Sequence, residues 1–191
     1  MNALWPLTLI FLDLGYLKKI GEKFDIWIDY HKLSIFMTNH HFLCAENTFL
    51  YTAPPFQAEP PSRDQAERKS RYDKFVAALR KENIIVREGR CQLIGNEFFQ
   101  KGVDTLMTMD LASIPVKYPH IRQIIVVACD TDFVPVLNEL RSSGIRVHLF
   151  YYSDFIRGSM FSMSNEMEKA TDTYTLLTKH QIESCRRKKK R

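Results

Sequence analysis

The stretch that most constrains this fold is residues 124–135, Ile-Ile-Val-Val-Ala-Cys-Asp-Thr-Asp-Phe-Val-Pro. A short apolar run rich in β-branched residues reads as a strand buried on both faces. It stops at Asp130 and Asp132, and Phe133, Val136, Leu137 and Leu140 then recur at helical spacing. In an open α/β sheet, sites form just beyond the carboxyl ends of the strands. Asp130 and Asp132 therefore stand where chemistry is expected. A competing reading is that Thr131 or Asp132 caps the next helix. Capping alone does not call for two acids. Neighbouring carboxylates repel, and a divalent cation that neutralises them favours their site.

The rest of the chain repeats this alternation. Residues 7–12 form a first expected strand, ending at Asp13 with Gly15 close behind. A helical pattern follows over 17–37, with a break expected near 21–25. Residues 47–51 form a second strand. The proline-rich stretch 52–68, with Pro54, Pro55, Pro60 and Pro61, reads as a loop. Helical spacing returns over 66–82, and residues 84–86 form a third strand. Residues 87–99 read as irregular. A helix opens at 100–104 and runs to Ile114, where Pro115 is expected to stop it. A strand at 145–150, a loop at 151–160, a helical turn at 164–170 and a packed segment at 172–177 complete the order. Buried strands alternating with helices argue for a three-layer α/β/α sandwich with a mainly parallel sheet.

The chain has 191 residues, which suits one domain, expected over 1–178, and a basic tail over 179–191. Apolar content of 45% is ordinary for a soluble globular protein. The net charge is +5, but the last six residues, Arg186 to Arg191, are all basic. The body is thus near neutral. The tail reads as disordered and as an electrostatic foot for nucleic acid or an anionic surface. Cys44, Cys91, Cys129 and Cys185 form no C-x-x-C pair, which excludes a zinc ribbon and a dithiol motif. His40 and His41 lie close to Cys44, but adjacent rings point in different directions, so a metal site there is disfavoured. Residues 1–12 lack the early charge of a signal peptide and are too short to span a bilayer. A soluble, cytoplasmic protein with no membrane association is expected. A neutral body with long apolar helices is compatible with a homodimer.

The acids carry the chemistry. On the helix after Gly102, residues Val103, Leu106, Met107, Leu111 and Ile114 make one apolar arc at about 100° per residue. Asp110 falls in the middle of that arc and Asp104 at its edge. An acid in a core-facing stripe is costly unless it is paired or metal-bound. Asp110 is therefore either a ligand or a buried partner of a Lys, an Arg or an amide. Asp104 also suits the helix dipole as a first-turn acid. Asp13, Asp104, Asp110, Asp130 and Asp132 together, without clustered Cys or His, favour a hard cation, Mg²⁺ or Mn²⁺. Such an ion assists phosphodiester hydrolysis. Lys101, Arg87 and Arg90 would hold backbone phosphates. No P-loop, G-x-G-x-x-G or G-x-S-x-G occurs. A phosphatase-like hydrolase acting on small phosphates is a further alternative, because an Asp-x-Asp after a strand is not unique to nucleases.

These pieces, in this order, resemble the NYN domain family of the PIN-like nuclease superfamily. Asp13-x-Gly15-Tyr16-Leu17 looks like its first motif, and Tyr51-x-Ala53-Pro54-Pro55 like its second-strand motif. Val86-Arg87-Glu88-Gly89-Arg90 and Gln100-Lys101-Gly102-Val103-Asp104 are similar to its central segment. Val127-x-x-Asp130-x-Asp132-Phe133-Val134-Pro135 is similar to its final acidic motif, and Ser164-x-Glu166-Met167-x-x-Ala170-x-Asp172 to its C-terminal helix. The resemblance covers residues 7–178. It implies a parallel-sheet sandwich and a Mg²⁺- or Mn²⁺-dependent endoribonuclease. It also implies Asp13, Asp104, Asp130 and Asp132 as the catalytic, metal-binding acids, with Asp110 matching a further family acid. The family often has Asn at Tyr16, Ser-Gly at Ala128-Cys129 and an acid at Thr52. The departures at Tyr16 and Cys129 motivate a second reading, an RNA-binding or regulatory module with little turnover.

Overall fold

Strand residues that alternate in direction must be covered on both faces, and here two separate cores do this. On one face, Leu9, Phe11, Phe49, Tyr51, Ile124, Val126, Val147 and Leu149 pack in one buried cluster. On the other, Ile10, Leu12, Leu50, Ile84, Ile125, Val127 and Phe150 pack in a second. The computed structural model describes residues 6–41, 43–156, 158–159 and 161–187. Residues 1–5 and 188–191 lie outside it, and with them the start of the apolar N-terminus and the end of the basic run.

The sheet has six strands. These are β1 (Leu7–Asp13), β2 (Cys44–Thr52), β3 (Ile84–Glu88), β6 (Gln123–Val127), β7 (Arg146–Tyr151) and β8 (Thr173–Leu176), in spatial order β3-β2-β1-β6-β7-β8. Every neighbouring pair is parallel. Helices α1 (Leu14–Phe24), α2 (Tyr30–His40), α3 (Arg63–Lys81) and α8 (Lys179–Ser184) contribute to the second core. Helices α4 (Val103–Ala112), α5 (Ile114–Lys117), α6 (Val134–Ser142) and α7 (Asn165–Lys169) contribute to the first. The expected sandwich is therefore present. From β1 the chain winds outward through β2 and β3, then returns to β6 on the other side of β1 and winds the opposite way. The crevice between β1 and β6 is thus the topological switch point, where open α/β sheets place their ligands.

Several boundaries differ from expectation for local reasons. Helix α1 starts at Leu14 because Asp13 caps it, and it ends where Asp25 takes φ 50°. Helix α3 starts at Arg63, inside the stretch expected as a loop, because Ser62 and Gln65 form a reciprocal capping box. Pro115 does not stop α4, which ends at Ala112; it sits in the first turn of α5, where its missing N–H costs nothing. Residues 87–99 are not irregular. Strand β3 continues to Glu88, and β4 (Arg90–Ile94) pairs with β5 (Glu97–Lys101) in an antiparallel hairpin. The segment 172–177 supplies the sixth strand. Of the expected loop at 151–160, residues 152–156 carry no regular structure, and residues 157 and 160 lie outside the described residues.

The expected tail is shorter than residues 179–191. Helix α8 buries Ile182, and Cys185 follows it into the second core, each 2% exposed. The Asp29 N–H donates to the Cys185 carbonyl, and the Arg187 N–H to that of Trp27. The folded body thus extends at least to Arg187.

Candidate active site

Two strand ends are built alike. At the end of β1, Asp13 Oδ1 accepts from the N–H groups of Gly15 (2.7 Å) and Tyr16 (3.2 Å). After β6, Asp130 Oδ1 accepts from the N–H of Asp132 (2.9 Å) and caps a 3₁₀ turn over Thr131–Phe133. The cap at this second position is therefore Asp130, rather than Thr131 or Asp132. Each aspartate commits one oxygen to its cap. Among the described residues, the other oxygen of each accepts no protein hydrogen bond.

Asp104 comes to the same place from α4. Gly102, at φ 78°, turns the chain out of β5 into that helix. Gly89 lets the hairpin fold back over its base, since a Cβ there would lie 2.6 Å from the Lys101 carbonyl oxygen. The resulting cleft has a volume of about 440 Å³ and is lined by Asp13, Gly15, Tyr16, Lys19, Gln100, Val103, Asp104, Cys129, Asp130, Thr131, Ser162 and Ser164. A second cleft, of about 530 Å³, runs along α3, but its one acid, Asp73, is paired with Lys69 at 2.5 Å. Convergent acids mark the first cleft as the candidate site.

The charges in this cleft oppose one another. Burial pushes the Asp13 carboxyl above its ordinary value; the Tyr16 and Gly15 N–H groups pull it back, and the charge of Asp104 adds to the rise. Burial also raises Asp104, helped by the charges of Asp130 and then Asp132. Asp132 thus belongs to the same electrostatic group, although it does not line the cleft. Such repulsion is relieved by a proton or a cation. Among the described residues, no group of three or more His, Cys, Asp and Glu side chains is preassembled as a metal cage. The donors are nonetheless all hard carboxylate oxygens. Mg²⁺ takes one or two carboxylates and completes its shell with water and substrate phosphate oxygens, and the residues present fit that demand.

Asp110 is not brought into this group. Its Oδ2 accepts from Arg87 Nε (2.7 Å) and from the Tyr51 hydroxyl (3.0 Å), and its Oδ1 from Arg87 Nη2 (3.1 Å). The acid in the apolar stripe of α4 is therefore a partner of an arginine on β3, the second of the two roles expected for it. Arg87, expected to hold phosphate, meets Asp110 through Nε and Nη2. Arg90 and Lys101 remain available and stand opposite each other at the base of the hairpin.

Sequence reasoning missed Lys19, Gln100, Thr131, Ser162 and Ser164. Lys19 was legible: once Asp13 is read as a cap, Lys19 falls one helical turn beyond Gly15 on the same face of α1. Gln100 and the serines needed the tertiary fold. Tyr16, where the family often has Asn, has a structural task. Its hydroxyl donates to the Tyr152 carbonyl (3.1 Å) and accepts from the Tyr152 N–H (2.8 Å), tying the start of α1 to the segment after β7.

The molecule is thus a doubly wound parallel sheet with an acidic cleft at its switch point. The sequence matches the NYN domain over residues 8–178, and the chain belongs to that family. A crystal structure of a protein of unknown function from Vibrio parahaemolyticus RIMD 2210633 is similar, with a TM-score of 0.62 at 16% identity. The match covers 94% of this chain and 97% of that one, and it supports the fold. No curated protein matches the sequence. Among the described residues, no helix is long and apolar enough to cross a membrane.

Proposed function

We propose that the protein is an endoribonuclease that hydrolyses RNA phosphodiester bonds with a divalent cation, Mg²⁺ or Mn²⁺. The observation that best supports this reading is the meeting of Asp13, Asp104 and Asp130 in one cleft at the β1/β6 switch point. Asp132 adds its charge from the adjoining turn. Asp13, Asp104 and Asp130 would hold the cation, directly or through its waters, with Asp132 adding negative charge, and the cation would supply charge neutralisation and a water of lowered pKa. The caps fix Asp13 and Asp130, so little reorganisation is needed when substrate arrives. Lys19, beside Asp13, would take a non-bridging phosphate oxygen, and Arg90 and Lys101 would hold flanking phosphates. RNA is the proposed partner, in the cytoplasm.

The test is cleavage of a labelled single-stranded RNA with Mn²⁺ or Mg²⁺, after EDTA, and after restoring the cation. Cutting that EDTA abolishes and the cation restores is the expected result. One observation favours a second reading, a binding module with little turnover. Tyr16 is committed to the Tyr152 backbone where the family often offers a short amide side chain. RNA binding without product over hours would select that reading and reject the first.

A further inference from the structure

Beyond Arg90 and Lys101 at its base, the β4–β5 hairpin has no part in the proposed chemistry. It carries Leu93, Ile94, Phe98 and Phe99 to the surface, with Phe98 54% exposed. Monomeric proteins seldom present such a group of large apolar side chains without a partner. The pairing register places Gln92 opposite Phe99, Leu93 opposite Phe98, and Cys91 opposite Gln100. Residues directly opposite share a face of the ribbon, and so do residues two apart along a strand. One face therefore holds Gln100, Phe98 and Leu93, and the other holds Lys101, Phe99 and Arg90.

Gln100 lines the acidic cleft. Phe98 is the next residue on that face, about 7 Å further along the strand. The Phe56 ring lies beside it, with centroids 5.6 Å apart and planes inclined at 38°. The apolar surface on this face is thus continuous with the cleft, while the two cations at the hairpin base lie on the ribbon's other face. An aromatic ring beside a backbone-holding site is what single-stranded nucleic acid requires, because every base has a face to stack. A duplex hides those faces.

We propose that Phe98, backed by Phe56, is a stacking platform for an unpaired base next to the phosphate held in the cleft. The hairpin thereby confines the protein to single-stranded RNA. This deepens the nuclease reading and rests on it for the position of the phosphate, but base stacking itself needs no turnover.

The test measures binding with Ca²⁺ in place of Mg²⁺ or Mn²⁺, which neutralises the acids while holding cleavage to a minimum, and the RNA is checked to be intact afterwards. Fluorescence anisotropy of a labelled oligouridine, and of a labelled RNA duplex, is followed for the wild type, Phe98→Ala, Phe98→Tyr and Phe99→Ala. Phe98→Ala should weaken the single strand about tenfold, within the range measured for loss of one base–aromatic stack. Phe98→Tyr and Phe99→Ala should bind as the wild type does, and duplex binding should be weak throughout. Phe98 is exposed, so its truncation should leave the melting temperature in place. Equal binding by Phe98→Ala overturns the proposal, as does a wild type that prefers the duplex or binds neither RNA. A fall from dimer to monomer mass in Phe98→Ala also overturns it and makes the hairpin a contact between copies. Wild-type cleavage with Mg²⁺ separates the two readings. Cutting with unchanged Phe98→Ala binding removes the platform alone, and Phe98-dependent binding without cutting removes the nuclease reading alone.

Discussion

Asp13 and Asp130 each perform two tasks with one carboxylate. One oxygen holds a turn by accepting backbone N–H groups, which positions the side chain without a long flexible tether. The other remains for a ligand. Asp104 has no such fixing bond from a neighbouring element, and its burial beside Asp130 and Asp132 makes it the strained member. A folded-state pKa raised above the unfolded value means that stability is full below the unfolded pKa. It is lost as pH rises through the folded one. At neutral pH, Asp104 therefore costs stability. Asp104→Asn should raise the melting temperature at pH 7 by about 1–4 °C, the gain expected from relieving strain at a functional site. Added Mg²⁺ should raise the melting temperature of the wild type more than that of the variant, since a ligand that binds only the folded state stabilises it. Differential scanning calorimetry with and without Mg²⁺ checks both. A variant less stable than the wild type, with an equal response to Mg²⁺, would remove Asp104 from the acidic group.

At the scale of elements, the pairing of β7 with the edge strand β8 carries a histidine arrangement with its own consequence. His148 on β7 is 2% exposed, and its Nδ1 and Nε2 each meet a threonine hydroxyl of β8, Thr173 at 2.7 Å and Thr175 at 2.9 Å. The His41 ring packs against it at 3.9 Å between centroids. Burial, then the neighbouring His41, His40 and Arg146, push the His148 imidazole down to about 3 from an unperturbed 6.5. The folded protein thus holds it neutral while the unfolded chain takes up a proton below pH 6.5. Stability should fall as pH drops from about 6.5 towards about 3. The slope from this one group is at most about 1.4 kcal/mol per pH unit. Urea unfolding of the wild type and His148→Gln between pH 7 and 5 tests this. The variant should show the shallower acid loss, even if it is less stable at pH 7. Parallel slopes would mean that His148 titrates alike in both states.

Which elements were legible follows from how each is stabilised. The central strands were readable because both of their faces are buried, so each is an uninterrupted apolar run such as Ile124 to Val127. The β4–β5 hairpin was not, because much of it is exposed and Arg90 to Lys101 shows no clean alternation. The start of α3 was written in Ser62 and Gln65 but obscured by the prolines before it. Asp110 shows the limit most clearly. Its place in an apolar stripe correctly demands a partner, but that partner is Arg87 on β3, and only the sheet register brings it within 2.7 Å.

At the scale of the whole molecule, the winding order explains why the acids meet. Asp13 and Asp130 are 117 residues apart in the chain, yet they follow the two strands that flank the switch point. Asp104 reaches them because α4 starts where the hairpin returns to the sheet. Asp110, six residues further along α4, belongs to a different local group held by Arg87 and Tyr51. The central claim is that the switch-point acids act together and that Asp110 does not belong with them. The most direct measurement compares initial rates of single-stranded RNA cleavage in Mn²⁺ for the wild type and for Asp13→Asn, Asp104→Asn, Asp130→Asn and Asp110→Asn. The account predicts losses above about 100-fold for the first three variants, as expected when ligands of a catalytic cation are removed. It predicts that Asp110→Asn, assayed below its melting temperature, stays within about tenfold of the wild type. Full activity in Asp130→Asn, or a loss in Asp110→Asn as deep as that in Asp104→Asn, would contradict it.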